Sequence, residues 1–255
     1  MSIRVEDVSV HFGGVIAVSH VSLDVEPGRI VSVVGPNGSG KSTLFNSISG
    51  LVPLATGSVS IDGRDARGLA PSHRVALGIA RTFQTPRFHA SETVEYAVLC
   101  GFYPHAKADL VSTMLRLPAS RREEKRLMKS CHGILKDLNL FDLRHAPLGE
   151  LSMGQVRLVE VARAIANEPK YILLDEPAAG LSRHEQQVLA DEVRRLARSG
   201  LGVLLVEHNF NLVRELSEHV LVLDRGRMML QGLPREIESN QDFVSLYLGS
   251  TGKAH

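Results

Sequence analysis

Ile-Val-Ser-Val-Val at positions 30–34 leads directly into Gly-Pro-Asn-Gly-Ser-Gly-Lys-Ser-Thr at positions 35–43. The first part is a near-continuous apolar run, which is typical of a strand covered on both faces in a parallel sheet. The second part fits the pattern G-x-x-x-x-G-K-[ST], with an additional glycine at position 38. Leu44, Ile48 and Leu51 then recur at helical spacing. The sequence therefore predicts a strand, a glycine-rich loop and a helix with these three residues on one face.

The glycine-rich loop has the composition of a phosphate-binding site. Glycines let the backbone curl so that its N–H groups point into one concavity, and the following helix directs its positive end to the same place. Lys41 supplies a point charge for the β- and γ-phosphates, and the hydroxyl of Ser42 is a candidate Mg²⁺ ligand. A merely flexible Gly/Ser turn is disfavoured because the required strand and helix flank the loop. We therefore predict nucleotide binding.

A second apolar run, at positions 171–174, ends in two acidic residues, Asp175 and Glu176. The carboxyl ends of parallel strands face the ligand crevice. Asp175 is therefore placed to hold Mg²⁺, directly or through water, and Glu176 is suited to orient and deprotonate an attacking water. Acidic residues at strand ends also occur as helix caps, but their combination with the phosphate loop favours the catalytic interpretation.

The remaining patterns indicate an α/β protein. Apolar runs at 203–206 and 220–223 alternate with helical patterns, as expected for strands and helices in one core. The first thirty residues partly alternate between apolar and polar, which predicts antiparallel strands appended to that core. Residues 91–167 carry no strong strand signal and are predicted to form an all-helical insertion. Their charged run at 121–126 mixes both signs, which favours a solvated helix face over nucleic-acid binding.

Composition excludes several classes of protein. The 255 residues are 44% hydrophobic and 22% charged, which excludes a mainly disordered chain. The longest apolar stretches have four or five residues, whereas a membrane-spanning helix needs about 20. The acidic N-terminus does not resemble a signal peptide, and the net charge of +1 argues against a nucleic-acid partner. Cys100 and Cys131 lack metal spacing and are expected to be reduced thiols in a cytosolic protein.

Four further features carry a family resemblance. Leu-Ser-Met-Gly-Gln at 151–155 resembles the LSGGQ signature of ATP-binding cassette (ABC) ATPases. Gln84 resembles their Q-loop glutamine, His208 their switch histidine and Phe12 the A-loop aromatic that stacks on adenine. Taken singly, Gln84 could be an exposed strand-end amide, His208 a structural histidine and Phe12 an edge-strand core residue. The order and spacing of the motifs match the family over essentially the whole chain.

The resemblance implies a fold and a domain organisation. The expected fold class is α/β, with a RecA-like P-loop NTPase core, an N-terminal antiparallel β-subdomain and an inserted α-helical subdomain. One ABC domain is expected over residues 1–255. Within it, the resemblance implies the β-subdomain and first part of the core at 1–90, the helical subdomain at 91–168, the rest of the core at 169–250 and a polar tail at 251–255.

The resemblance also implies roles for individual residues in an ATPase that uses ATP and Mg²⁺. Glu176 is the expected general base, His208 contacts the γ-phosphate, and Lys41 completes the catalytic set. The metal ligands are expected to be Ser42, Gln84 and Asp175. The residues expected to bind ATP within one chain are Phe12, Asn37, Gly38, Ser39, Gly40, Lys41, Ser42 and Thr43.

A second group of residues is expected to act on another subunit's nucleotide. Two ATP-binding subunits of this family pack head-to-tail with two nucleotides between them, so Ser152, Gly154 and Gln155 would contact ATP held by the partner. Two positions depart from the family pattern. Met153 stands where the first signature glycine is usual, and Ser182 stands where the D-loop typically has Asp. The second departure puts the usual D-loop contacts in question.

Subgroup features resemble the ATPases of branched-chain amino-acid importers. They are Gly-Ile-Ala-Arg-Thr-Phe-Gln at 78–84, the segment 175–181, the helical insertion near 101–130 and the ending at 246–249. The resemblance implies two membrane permease subunits, a sister ATP-binding subunit or a second copy, and an extracytoplasmic solute-binding protein as an indirect partner. It places the protein peripherally at the cytoplasmic face of the plasma membrane.

Alternatives to this subgroup remain open. Urea and amide importers belong to the same subgroup, and a lipid-type exporter shares every catalytic motif. A DNA-repair ABC ATPase would need a long coiled coil between the phosphate loop and the signature, and the interval here is too short. For the permease contact, we predict that Phe88 and its neighbours at 85–87 form a groove for a short permease helix. The alternative is that Phe88 packs inside the helical subdomain.

Overall fold

The computed structural model describes residues 1–82, 88–105 and 118–251, without the side chains at 103–105, 118–121 and 247–251. The strands are β1 Ile3–Phe12, β2 Val15–Val25, β3 Ile30–Val34, β4 Thr56–Ile61, β5 Arg64–Asp65, β6 Ile79–Arg81, β7 Tyr171–Asp175, β8 Gly202–Val206, β9 His219–Asp224 and β10 Arg227–Gly232. The helices are α1 Lys41–Ile48, α2 Pro71–Ala76, α3 Val94–Leu99, α4 Pro118–Asp137, α5 Met153–Ala166, α6 Arg183–Arg198, α7 Phe210–Leu216, α8 Pro234–Ser239 and α9 Gln241–Thr251. Short 3₁₀ turns cover Cys100–His105, Phe141–Leu143 and Leu148–Glu150.

A six-stranded sheet forms the centre of the first of two compact units, the one that contains residues 1–81, 170–176 and 193–255. Its strand order is β10-β9-β3-β8-β7-β6, and only β10 runs antiparallel to its neighbour. The four apolar runs predicted as buried strands are β3, β7, β8 and β9, and all residues of the first three are buried. The prediction of a parallel α/β core is confirmed, because apolar runs of this kind need cover on both faces.

The N-terminal strands form a second, antiparallel sheet in the order β2-β1-β4-β5. This confirms the predicted appended strands. One core cluster joins this sheet, α1 and one face of the six-stranded sheet, and it includes Val5, Leu44, Val33 and Leu221. Val34, Val220 and Val222 alternate with these residues along β3 and β9 and pack in a separate cluster with Val213, Ile237 and Phe243.

The prediction that Leu44, Ile48 and Leu51 share one face of α1 is partly wrong. Leu44 and Ile48 are buried, but Leu51 lies beyond the end of the helix and is 48% exposed. The helix ends because Gly50 adopts φ +81°, a left-handed conformation that stops helical hydrogen bonding. Arg74 then binds the last carbonyls, donating to Ser47 and Ile48 at 2.7 and 2.6 Å.

The chain divides into two compact units. The first contains residues 1–81, 170–176 and 193–255, and the second contains residues 82–169 and 177–192. In the described part of the second unit, regular structure is helical apart from one bridge between Thr93 and Pro147. Helix α5 buries an apolar face that includes Leu158, Val161, Ala162 and Ile165. The subdomain boundaries expected from the resemblance stay a prediction.

Candidate nucleotide-binding and catalytic site

The phosphate loop between β3 and α1 contains two glycines that no other residue could replace without a clash. A Cβ atom at Gly35 would lie 2.1 Å from the carbonyl oxygen of Leu223, and one at Gly40 would lie 2.5 Å from that of Ala17. Both contacts are with backbone, which cannot move aside cheaply. Gly38 has φ +78° but no heavy atom within 4 Å of a Cβ position, so it needs glycine for its backbone conformation alone.

The turn between β9 and β10 is hydrogen-bonded to the phosphate loop. The Gly226 N–H donates to the carbonyl of Ser39 at 3.0 Å, and the Gly226 carbonyl accepts the N–H of Ser19 at 2.8 Å. The hydroxyl of Ser39 is buried and has no hydrogen-bond partner among the described residues. A buried, unsatisfied hydroxyl in such a loop is a feature that an oxyanion ligand would complete.

Lys41 is folded back over the loop that precedes it. Its Nζ donates to the carbonyl oxygens of Gly35 at 2.8 Å and Pro36 at 2.9 Å. Burial lowers the pKa of this ammonium, while the carboxylates of Glu176 and Asp175 act in the opposite direction. Loss of solvent and attraction to the acidic pair therefore act on the Lys41 pKa in opposite directions. Lys41 is close enough to both acids to interact with their charges.

The acidic pair stands at the carboxyl end of β7, as predicted. Asp175 is 3% exposed, and its Oδ2 lies 3.7 Å from Nη2 of Arg81. Glu176 follows with φ +49°, and its N–H donates to the carbonyl of Val206 on the neighbouring strand β8 at 2.9 Å. This left-handed backbone is uncommon for a glutamate, and such conformations cluster at functional sites.

His208 lies next to Glu176, the predicted general base, although the two residues are 32 positions apart in sequence. Its Nε2 lies 2.7 Å from Oε1 of Glu176, within hydrogen-bonding distance. The three residues predicted to be catalytic, Lys41, Glu176 and His208, all lie in the first unit. Their catalytic roles stay a prediction. A histidine–carboxylate hydrogen bond can fix the carboxylate's orientation and take part in proton movement.

The oxygen donors at this site suit Mg²⁺. The hydroxyl of Ser42 and the carboxylate of Asp175 are hard oxygen ligands, which Mg²⁺ prefers together with waters and substrate phosphates. Gln84, the third ligand implied by the resemblance, lies outside the described residues.

Phe12 is 52% exposed at the end of β1, so the alternative that it is a core residue is not supported. Its contact with adenine stays a prediction.

The signature segment forms the start of α5 in the second unit. Oγ of Ser152 accepts the Gln155 N–H at 3.1 Å, and Oε1 of Gln155 accepts the Ser152 N–H at 2.9 Å. This reciprocal capping box fixes where the helix begins. Met153, the first departure from the family pattern, is 65% exposed, so its bulky side chain does not disturb packing inside the chain.

A glutamate that the sequence interpretation missed packs beside the signature glycine. A Cβ atom at Gly154 would lie 2.9 Å from Oε2 of Glu185. The same carboxylate oxygen accepts the Ser182 N–H at 2.7 Å, and Oγ of Ser182 accepts the Glu185 N–H at 3.3 Å. Ser182 therefore caps α6, which gives the second departure a structural role. The pattern S-x-x-E could have revealed it.

Phe88 is half-buried within the second unit, with the guanidinium carbon of Arg163 4.4 Å from its ring centroid. The neighbouring residues 85–87 of the predicted groove lie outside the described residues, so the permease groove stays a prediction.

Both cysteines are free, and burial raises the pKa of Cys131 to about 12. In the part of the chain that the structure describes, no helix combines the length and apolar character needed to cross a bilayer.

Comparison with known proteins supports the family resemblance. Residues 18–179 match the ABC transporter family, and the chain belongs to that family. It is an ABC-type ATPase, and the predicted fold class is confirmed. The chain is similar to the high-affinity branched-chain amino acid transport ATP-binding proteins BraF of Pseudomonas aeruginosa and LivG of Escherichia coli K12. Identity is 35% over 249 residues and 32% over 248 residues, covering 97% of this chain and of each relative.

Two solved structures resemble the chain closely. The ADP conformation of MJ1267, an ATP-binding cassette of an ABC transporter, has a TM-score of 0.83 and 32% identity, covering 98% of this chain and 99% of that one. The dimeric structure of MJ0796, a bacterial ABC transporter cassette, has a TM-score of 0.79 and 26% identity, covering 91% of this chain and 99% of that one.

Proposed function

We propose that this ABC ATPase powers uptake of branched-chain amino acids through separate membrane permeases. The observation that carries the proposal is the near-full-length similarity to BraF and LivG, whose names assign them to branched-chain amino-acid transport. The partners would be two permease subunits and, indirectly, an extracytoplasmic solute-binding protein. The protein would then work at the cytoplasmic face of the plasma membrane without entering the bilayer.

Within one chain, the first unit would bind ATP and activate water. The loop amides and Lys41 would hold the phosphates, since Lys41 needs only to exchange its two carbonyl contacts for phosphate oxygens. Ser42, Asp175 and Gln84 would hold Mg²⁺, which neutralises phosphate charge when bound. Glu176 would take the proton from the attacking water, and His208 would hold the Glu176 carboxylate and contact the γ-phosphate.

The second cassette would complete each site. Ser152, Gly154 and Gln155 are held at the start of α5 by contacts within their own unit. We infer that they contact ATP bound to a second copy or a sister cassette. The dimeric structure of MJ0796 supports this arrangement because that cassette is 26% identical and covers most of the chain.

Substitution of Glu176 tests the catalytic assignment. Glu176→Gln keeps the shape of the side chain but cannot accept the proton, so steady-state ATP hydrolysis is expected to fall about 10²–10⁴-fold. Nucleotide binding, measured with a fluorescent ATP analogue, is expected to remain. Lys41→Ala is the matched control because it removes a phosphate contact and weakens binding itself. Hydrolysis by Glu176→Gln above about a tenth of the parent rate would contradict the assigned role.

Uptake of labelled solutes tests the transport assignment. The chain is co-expressed with permeases and a solute-binding protein identified from its neighbouring coding sequences or by co-purification, and uptake of leucine, urea and a short-chain amide is compared. We expect saturable leucine uptake that is lost with Glu176→Gln. Phe88→Ala is expected to retain ATPase activity in isolation but to lose co-purification with the permeases and uptake. Urea or amide uptake without leucine uptake, or partners that export lipid, would overturn the assigned solute.

A further inference from the structure

A buried arginine joins the helix after the phosphate loop to the carboxylate at the end of β7. Arg81 is the last residue of β6, and its side chain is 11% exposed. Its Nη1 donates to Oδ1 of Asn46 at 2.9 Å and to Oγ of Ser49 at 2.6 Å. Its Nη2 lies 3.7 Å from Oδ2 of Asp175. One guanidinium group therefore contacts both α1 and the strand-end acid.

This arrangement uses properties that are particular to arginine. A buried carboxylate such as Asp175 is unfavourable without a counter-charge nearby. The guanidinium group is planar and presents donors in fixed directions, so it can hold two structures in a defined relation. The ring of Phe45 lies 5.7 Å from the guanidinium carbon and adds a further contact from α1. The side chain is thus constrained from several directions.

The contacts of Arg81 lead to the two proposed metal ligands that the structure describes, Ser42 and Asp175. Ser42 and Asn46 are four residues apart in α1, so they lie one above the other on the same face of the helix. Holding Asn46 therefore holds the turn that carries Ser42, while the other end of the guanidinium holds Asp175. We propose that Arg81 is a positioning residue that sets the separation between Ser42 and Asp175. This inference rests on the proposed Mg²⁺ site.

The chain offers a matched control for merely structural support of α1. Arg74 is also buried and also binds α1, but through the carbonyl oxygens of Ser47 and Ile48 at its far end. Its remaining hydrogen bond among the described residues goes to the carbonyl of Ala66. Removing either arginine weakens α1, but only Arg81 contacts the proposed metal site.

The experiment measures Mg²⁺-dependent binding of fluorescent ADP to the full chain, together with thermal unfolding. Arg81→Gln is expected to raise the Mg²⁺ concentration for half-maximal enhancement by about 10–100-fold, the range for loss of a residue supporting a metal ligand. The Mg²⁺ concentration for half-maximal enhancement of ADP binding by Arg81→Lys is expected to lie between the values for Arg81→Gln and the parent. Arg81→Lys replaces Arg81→Gln in the comparison if Arg81→Gln does not fold. Arg74→Gln is expected to lower the unfolding temperature and leave the Mg²⁺ dependence unchanged.

A double substitution distinguishes the inference from the proposed function. If Arg81 acts through Asp175, Arg81→Gln in an Asp175→Asn background changes the Mg²⁺ dependence by less than about twofold. An equal effect in both backgrounds, or an Arg81→Gln variant that behaves like Arg74→Gln, would overturn the positioning role. Asp175→Asn with the parent's Mg²⁺ dependence would instead overturn the proposed metal site, and this inference with it.

Discussion

The phosphate loop and the signature segment both depend on glycine, but for different physical reasons. At Gly35 and Gly40, an added Cβ atom would overlap backbone carbonyl oxygens of the same unit. At Gly154, it would approach the end of a flexible glutamate side chain. The loop glycines are therefore required by the fold of the single chain. The signature glycine is required much less by its own chain, which is compatible with its proposed contact with ATP held by a second subunit.

The largest expected effect is at the phosphate loop. Gly35→Ala would place Cβ 2.1 Å from the carbonyl oxygen of Leu223, so we expect loss of nucleotide binding and destabilisation by about 3–5 kcal/mol. Gly38→Ala is the control because its Cβ meets open space. Its positive φ alone costs about 1–2 kcal/mol. Chemical denaturation and nucleotide titration measure both, and equal losses for the two variants would refute the steric argument.

The signature glycine is expected to show an intermediate effect confined to hydrolysis. Gly154→Ala displaces only the Glu185 carboxylate, so the fold and ATP binding are expected to persist. Hydrolysis is expected to fall about 10–100-fold, because small misplacements near the phosphates are costly. In the parent, the rate is expected to rise faster than linearly with protein concentration, since each site of the proposed dimer would need two chains.

Mixing two variants with impaired hydrolysis sharpens this test. A dimer of one Gly154→Ala chain and one Lys41→Ala chain contains one site in which phosphate loop and signature are both intact. The mixture is therefore expected to hydrolyse ATP faster than either variant alone. Absence of any recovery, with mixed dimers demonstrated, would count against signature contacts across the dimer.

The smallest expected effect is at the cap of α6. Ser182→Ala removes the oxygen that accepts the Glu185 N–H, and loss of such a cap costs about 0.5–2 kcal/mol of stability. Ser182→Asp retains an acceptor and introduces the residue usual in the family, so its stability is expected to match the parent's. Urea denaturation of the three proteins measures the difference. A Ser182→Ala variant as stable as the parent would show that the cap contributes nothing.

Local patterns predicted the parts of the molecule that depend on local sequence. The buried strands contain apolar runs over most of their length, so β3, β7, β8 and β9 were predictable. Strand β6 has only three residues and strand β10 has no buried residue, and neither carries such a pattern. Leu51 was misplaced because the end of α1 depends on Gly50 and on Arg74, which is distant in sequence.

The site also has parts that local sequence predicts and parts that depend on tertiary contacts. The phosphate loop and the acidic pair are continuous in sequence, so their residue types and spacing predict their chemistry. The contact between Arg81 and Asp175 joins residues 94 positions apart, and only the pairing of β6 with β7 brings them near. The Glu185 cap was visible as a local pattern, but its packing against Gly154 was not, because that depends on two helices.

The turn after β9 provides a natural reporter for the phosphate loop. Its Gly226 amide proton is held by the carbonyl of Ser39, a loop residue. An amide held in this way exchanges with deuterium only when its hydrogen bond opens. Deuterium uptake at Gly226 therefore measures how often the loop detaches from the turn. The measurement needs neither an attached fluorophore nor a substitution in the loop itself.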